Sequence, residues 1–227
     1  MDGNYDGLAA GYDSHFQRPV DRWEDLRLAH LLKPYVNGQR VLDLGCGTGW
    51  LLDHLSPLYY AGVDSSSAML EELARKYVSP HMPVTTVKAE VGSDGWVRSI
   101  PGSGGTFDTV TATWAFQYLF DGTTGGLHDL LTECKGLIRR GGVIALHGYL
   151  PRYRHRHHYI GWPRVVPPTI SPERAVFASS GTGLSGPFLY GCGALPDWLA
   201  RSERAWQAAL HRVPRRWHWS GLWVWIR

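Results

Sequence analysis

The sequence predicts an α/β fold, a doubly wound and mostly parallel sheet with helices on both faces. Three observations predict it. Short apolar strand-like runs alternate with helical periodicities from residue 40 to residue 147. A glycine-rich turn joins the first of these runs to a helix. The 227 residues, 44% hydrophobic and 19% charged, are enough for one well-buried domain and too few for two comfortable ones.

The elements follow in order. Residues 1–20 are polar and aromatic, with Tyr5-Asp6 echoed at Tyr12-Asp13. In 22–35, Trp23, Leu26, Leu28, Leu31 and Leu32 recur at mostly helical spacing, and Pro34 is expected to end that helix. Residues 1–36 are therefore expected to form an N-terminal helical cap. Arg40 to Leu44 is a first strand, Gly45 to Gly49 a tight turn, and Trp50 to Leu55 the start of a helix. Tyr59 to Val63 is a second strand ending at Asp64; Ser65-Ser66-Ser67 then caps a helix over 67–77. Val84 to Lys88 is a third strand, and 92–106 a Gly/Ser-rich loop with a short helical piece. Phe107 to Thr113 is a fourth strand. The helix Leu127 to Ile138 is expected to stop at Arg139-Arg140-Gly141-Gly142, before a fifth strand over Val143 to His147.

Beyond 150 the alternation breaks. Residues 150–194, rich in Pro, Gly, Arg and His, show no clear periodicity and read as an insertion or substrate lid. A helix is expected over 196–212. A last strand over 217–226, apolar on both faces, is expected inside the sheet. Its tryptophans, Trp217, Trp219, Trp223 and Trp225, alternate with the period of a strand and read as core.

Composition excludes several classes. A formal net charge of +3 is too small for a dedicated nucleic-acid binder. Cys46, Cys134 and Cys192 match neither a disulfide framework nor a zinc pattern, so no metal is expected. The N-terminus has no basic segment leading into an apolar stretch, and no apolar run approaches the ~20 residues of a membrane span. The expectation is a reduced, cytoplasmic protein without membrane contacts.

The chemistry concentrates at the glycine turn. Such a turn lets a ligand approach the backbone, and the following helix offers free N–H groups. Asp43, just before the first glycine, would repel a pyrophosphate and tolerate a zwitterionic or cationic ligand. That disfavours a nicotinamide cofactor and favours a sulfonium one. Asp64, 21 residues on at the next strand end, is placed to accept two ribose hydroxyls.

VLDLGCGTG (41–49), GVDSSSAML (62–70) and LIRRGGVIAL (137–146) together resemble motifs of the class I S-adenosylmethionine-dependent methyltransferases. The likeness covers residues 5–149 well and the remainder in outline. It implies a single Rossmann-like domain over 1–227, with a seven-stranded sheet whose last strand is antiparallel. It implies S-adenosylmethionine as cofactor. Gly45, Cys46 and Gly47 would face its methionine and ribose parts, Asp43 would orient the amino end partly through water, and Asp64 with Ser65 would hold the ribose. Tyr5 and Tyr12 resemble tyrosines that fold over the cofactor in relatives. Where the family often carries an adenine-binding Asp, this chain has Val87-Lys88-Ala89-Glu90, so Ala89 backbone and Glu90 take that role.

Acceptor and cofactor meet at the ends of the fourth and fifth strands. Thr113 and Trp114 are placed beside the cofactor, Trp114 by cation–π attraction, and Gln117 and Tyr118 beside the acceptor. The tetrapeptide that marks DNA amino-methyltransferases is missing. His147 reads either as a general base or as a packed histidine. Arg152 and Arg154, in the basic aromatic run 152–158, are candidates for gripping an acidic or aromatic acceptor. The first expectation is O- or N-methylation of a small molecule. The alternatives are a nucleic-acid methyltransferase using 152–164 as a basic arm, and a non-catalytic cofactor-binding protein.

Overall fold

Strands β1 (Arg40–Leu44), β2 (Tyr59–Asp64), β3 (Val84–Lys88), β4 (Phe107–Ala112), β5 (Ile138–Tyr149), β6 (Ser185–Gly193) and β7 (Ser220–Ile226) form one sheet in the order β3-β2-β1-β4-β5-β7-β6. The computed structural model describes residues 5–16, 19–77, 83–102, 104–149, 171–193 and 220–227. The first five strands are parallel, and β7 runs antiparallel between β5 and β6. The helices are α1 (Pro19–Val36), α2 (Trp50–His54), α3 (Ser67–Lys76), α4 (Thr124–Leu137) and α5 (Pro172–Ser179). Short 3₁₀ turns at Tyr5–Gly7 and Ala9–Phe16 precede them.

The period of two along each strand sorts the core into two clusters, one per face. Val41, Ala145, Leu222 and Val224 pack with Leu28 and Leu32 of α1, Leu51 of α2 and Leu73 of α3. Leu42, Leu44, Ile144, Leu146, Trp223 and Trp225 pack with Leu127, Leu131 and Leu137 of α4 and Ala175 of α5. Leu28 and Leu32 are fully buried, each stabilising the fold by about 1.5–3 kcal/mol. Trp223 and Trp225 stack with centroids 6.5 Å apart, and a strand apolar on both faces lies inside the sheet as its pattern requires.

Differences from the sequence expectation have local causes. Helix α1 runs past Pro34 to Val36, because proline costs one intrahelical bond and the last turn is otherwise intact. Strand β5 begins at Ile138, directly after α4. Ile138 pairs with Phe107, and the ladder shifts register before Thr109 pairs with Val143, so Arg139 to Gly142 lie within the strand. Part of the stretch read as an insertion is regular structure: residues 172–179 are α5 and 185–193 are the sheet strand β6. Gly186, Pro187, Gly191 and Gly193 hid that strand. An edge strand tolerates a proline, and the β6–β7 register shifts between Ser185 and Phe188, around Pro187. The helix expected over 196–212, Trp217 and Trp219, and residues 150–170 lie outside the described residues.

Candidate functional site

The carboxyl ends of β1, β2, β4 and β5 converge beside the glycine turn, where open α/β sheets bind ligands. Gly45 adopts φ 65°, and a Cβ there would stand 2.5 Å from Cβ of Ala115, so the turn lies directly against the β4 exit. At Gly47, φ 51°, an added Cβ would meet nothing within 4 Å, so the turn opens onto space at this residue. Asp64 spans the gap between turn and β2: Gly47 N–H donates to Oδ2 at 2.9 Å and Ser66 N–H to Oδ1 at 2.9 Å. Burial lifts its pKa above the usual carboxylate range despite these donors.

The N-terminal turns close over this point. Asp6 Oδ1 accepts from Ser66 Oγ at 2.5 Å and from Ala68 N–H at 3.3 Å, clipping the chain to the start of α3. Asp13 accepts from Thr48 Oγ1 at 2.5 Å and from Lys76 Nζ at 2.9 Å. Lys76 also reaches Asp53 of α2 at 3.1 Å. Between the clips, the rings of Tyr5 and Tyr12 meet edge-on at 6.4 Å. Burial raises the Tyr5 hydroxyl to about 12, and the charges of Tyr118 and Asp64 add to it. Tyr12 is raised by burial and by the same neighbours. Tyr118, expected on the acceptor side, thus belongs with the tyrosines around Asp64.

Several expected site residues have other roles. Asp43 is buried to 1% exposure and committed within the sheet, accepting from Tyr60 Oη at 3.0 Å and Thr111 Oγ1 at 2.8 Å. Burial, with the charge of Asp64, lifts it to about 7. It lies beneath the crevice, because β1 is central and flanked by β2 and β4. Cys46 turns its thiol into the core against Gly62, so its side chain is not available to a ligand. Ser65 is exposed, and Ala89 N–H donates to Asp64 O at 3.0 Å, which fixes the β3 exit beside the acid. Glu90 is exposed and its carbonyl holds Ser93; Lys88 points to Ser67 Oγ at 2.5 Å. Thr113 is buried. Gln117 is buried too, and its Nε2 donates to Trp114 O at 3.0 Å, which braces the loop.

His147 does not have the properties of a base. It shares the α1-side face with Ala145, is 1% exposed, and neither ring nitrogen has a partner. Burial alone pushes it down to about 3. Its ring meets Trp114 edge-on at 4.4 Å. Trp114 itself holds φ 59°, a left-handed conformation costing a non-glycine residue about 1–3 kcal/mol, a strain typical of ligand-facing loops. Arg152, Arg154 and the run 152–164 lie outside the described residues.

Sequence reasoning missed Asp25. From α1 its Oδ1 accepts Trp50 Nε1 at 2.8 Å and Trp114 Nε1 at 3.1 Å, and burial raises it to about 7. A signal was present. Asp21 and Asp25 precede Leu28 and Leu32 at three- and four-residue spacings, which puts acids on the face that becomes buried.

The family model described as Methyltransferase domain matches residues 41–142. Residues 41–142 carry a methyltransferase domain, and the fold and motifs support a class I S-adenosylmethionine-dependent methyltransferase. A malonyl-(acyl-carrier protein) O-methyltransferase from Halalkalibacterium halodurans is 33% identical over 160 residues, 65% of this chain and 51% of that one. A tRNA U34 carboxymethyltransferase from Alcanivorax borkumensis is 28% identical over 128 residues, 55% of this chain and 36% of that one. The chain thus spans about half or less of the length of these curated relatives. An S-adenosylmethionine-dependent methyltransferase from Mesorhizobium loti has the same fold, with TM-score 0.59 and 17% identity over 90% of this chain and 98% of that one. S-adenosylmethionine is the cofactor of the family. The crevice suits a sulfonium: Asp43 and Asp64 both carry raised pKa values beside it, and a bound cation offsets what burial costs their charges. Among the described residues no group of three or more His, Cys, Asp and Glu could hold a metal, and no helix is long and apolar enough to cross a membrane.

Proposed function

We propose that this chain transfers the methyl group of S-adenosylmethionine to the oxygen or nitrogen of a small-molecule acceptor. The observation that carries the reading is Asp64, tied to the Gly47 amide beneath Tyr5 and Tyr12. In this reading Asp64 accepts the two ribose hydroxyls, with Ser65 beside it. Gly45 and Gly47 line the methionine side with their main chain, and Ala89 backbone meets the adenine. Tyr5, Tyr12 and Tyr118 exclude water from the sugar. Asp43 acts from below, holding the Tyr60 and Thr111 hydroxyls and adding negative potential.

The cofactor supplies a methyl carbon already activated for in-line displacement, so placement of the acceptor does much of the work. Trp114, on the strained β4 exit, is the residue that frames that approach. The named acceptors of the two relatives differ, one acyl-carrier-bound and one tRNA, so they leave the acceptor of this chain open.

The test is release of S-adenosylhomocysteine in the presence of a panel of small alcohols, amines and carboxylic acids, set beside total tRNA. Turnover with a panel member supports the reading. Turnover with tRNA alone, or cofactor binding without turnover on either, overturns it.

A further inference from the structure

The acceptor side contains hydrogen-bond acceptors that lack donors. Both indole bonds to Asp25 end on Oδ1, and Oδ2 has no partner among the described residues. His147, packed on the same Trp114 ring, is a fully buried imidazole with neither nitrogen partnered. As a neutral ring it carries one acceptor nitrogen. The free oxygen of a half-buried carboxylate, held between two half-buried indoles, offers a place for a ligand that brings N–H donors. The aromatic surroundings, Trp50 and Trp114 with His54 against Trp50 at 4.7 Å, add π faces that favour a cation.

We infer that Asp25, Trp50, Trp114 and His147 form a subsite for a protonated amine, which makes the acceptor of this chain an amine-bearing molecule. The inference rests on the small-molecule reading above and narrows it. The ammonium would donate to Asp25 Oδ2 and stand against the indoles, with the buried His147 ring packed on Trp114 to hold that indole in place. A hydroxyl brings one donor and no charge, and a carboxylate brings repulsion, so neither meets the same demand.

The electrostatics agree in sign. The groups bearing on Asp25 are Asp21 on its own helix, Asp53 on α2 and the indoles of Trp50 and Trp114; His54 and His147 touch those indoles and stay neutral at pH 7. Asp21 and Asp53 push its pKa up, and the two indoles push it down. No cation contacts it among the described residues; Lys76 is engaged by Asp13 and Asp53. A cation prefers the ionised carboxylate, so amine binding strengthens as the pH rises through about 7 and then levels off.

The experiment uses the full chain saturated with S-adenosylhomocysteine and follows the indole N–H signals of Trp50 and Trp114 by ¹⁵N NMR. The probes are n-butylamine, butan-1-ol and butanoate. The expected result is a saturable shift of both signals with the amine alone, with affinity rising about tenfold between pH 6 and pH 8 as one group of pKa near 7 ionises. Asp25→Asn is expected to abolish the amine response and leave S-adenosylhomocysteine affinity within twofold. A response shared by the alcohol or the carboxylate, one that survives Asp25→Asn, or none up to 50 mM amine at pH 8 overturns the inference. The pH series on the unmodified chain decides the matter even where Asp25→Asn does not fold. If the amine fails while the chain still methylates small alcohols or acids, this inference falls and the proposed function stands.

Discussion

The proposed cofactor side and the proposed acceptor side of the crevice are built differently. On the cofactor side, turn, acid and helix cap lie within residues 43–68, and short-range geometry sets them. Gly47 N–H to Asp64 spans 17 positions, and Ser66 N–H to Asp64 spans two. On the acceptor side, Trp114 meets Asp25 across 89 positions and His147 across the β4–β5 crossover. A site written in local sequence tolerates little change in its backbone. A site assembled by packing is free to vary its side chains while the sheet stays the same, which is how one fold comes to serve many acceptors.

Four variants test that contrast. The largest effect is expected from Gly45→Ala. Its φ of 65° and a Cβ 2.5 Å from Ala115 force the turn apart, so S-adenosylmethionine affinity should fall at least thirtyfold by calorimetry. Thermal or denaturant unfolding should show a loss of about 2 kcal/mol. Asp64→Ala should weaken cofactor binding at least tenfold, about 1.4 kcal/mol; unchanged affinity removes Asp64 from the ribose. Asp6→Asn combined with Asp13→Asn unfastens both clips and should weaken binding about threefold, with faster cofactor release in stopped-flow fluorescence. Trp114→Phe, on the acceptor side, should leave cofactor affinity within twofold. A loss there as large as that of Asp64→Ala would show that the two sides are not separable.

The paired Tyr-Asp steps show how much of a site a sequence can signal without stating its meaning. Tyr5-Asp6 and Tyr12-Asp13 stand out as a repetition seven residues apart. Their division of labour, ring over the crevice and carboxylate on a neighbouring helix, becomes visible only when α2 and α3 are in place. His147 teaches the opposite lesson. Its position at a strand end suggests a base, but burial between α1 and the sheet disfavours its protonated form and makes it a weak one. Gln117 and Cys46 likewise sit at the expected places in the chain, and both side chains are buried in local packing.

Residue order alone determined the parallel half of the sheet, the glycine turn and the acid at the end of β2. These follow from periodicity and from backbone conformations that few residue types allow. Tertiary structure alone decided that residues 185–193 complete the sheet as an edge strand, that Asp43 lies beneath the crevice, and that Asp25 joins Trp50 and Trp114. The physical reason is one of range. Turn geometry is a property of a few consecutive residues, whereas the burial and protonation of a carboxylate depend on which distant elements pack around it.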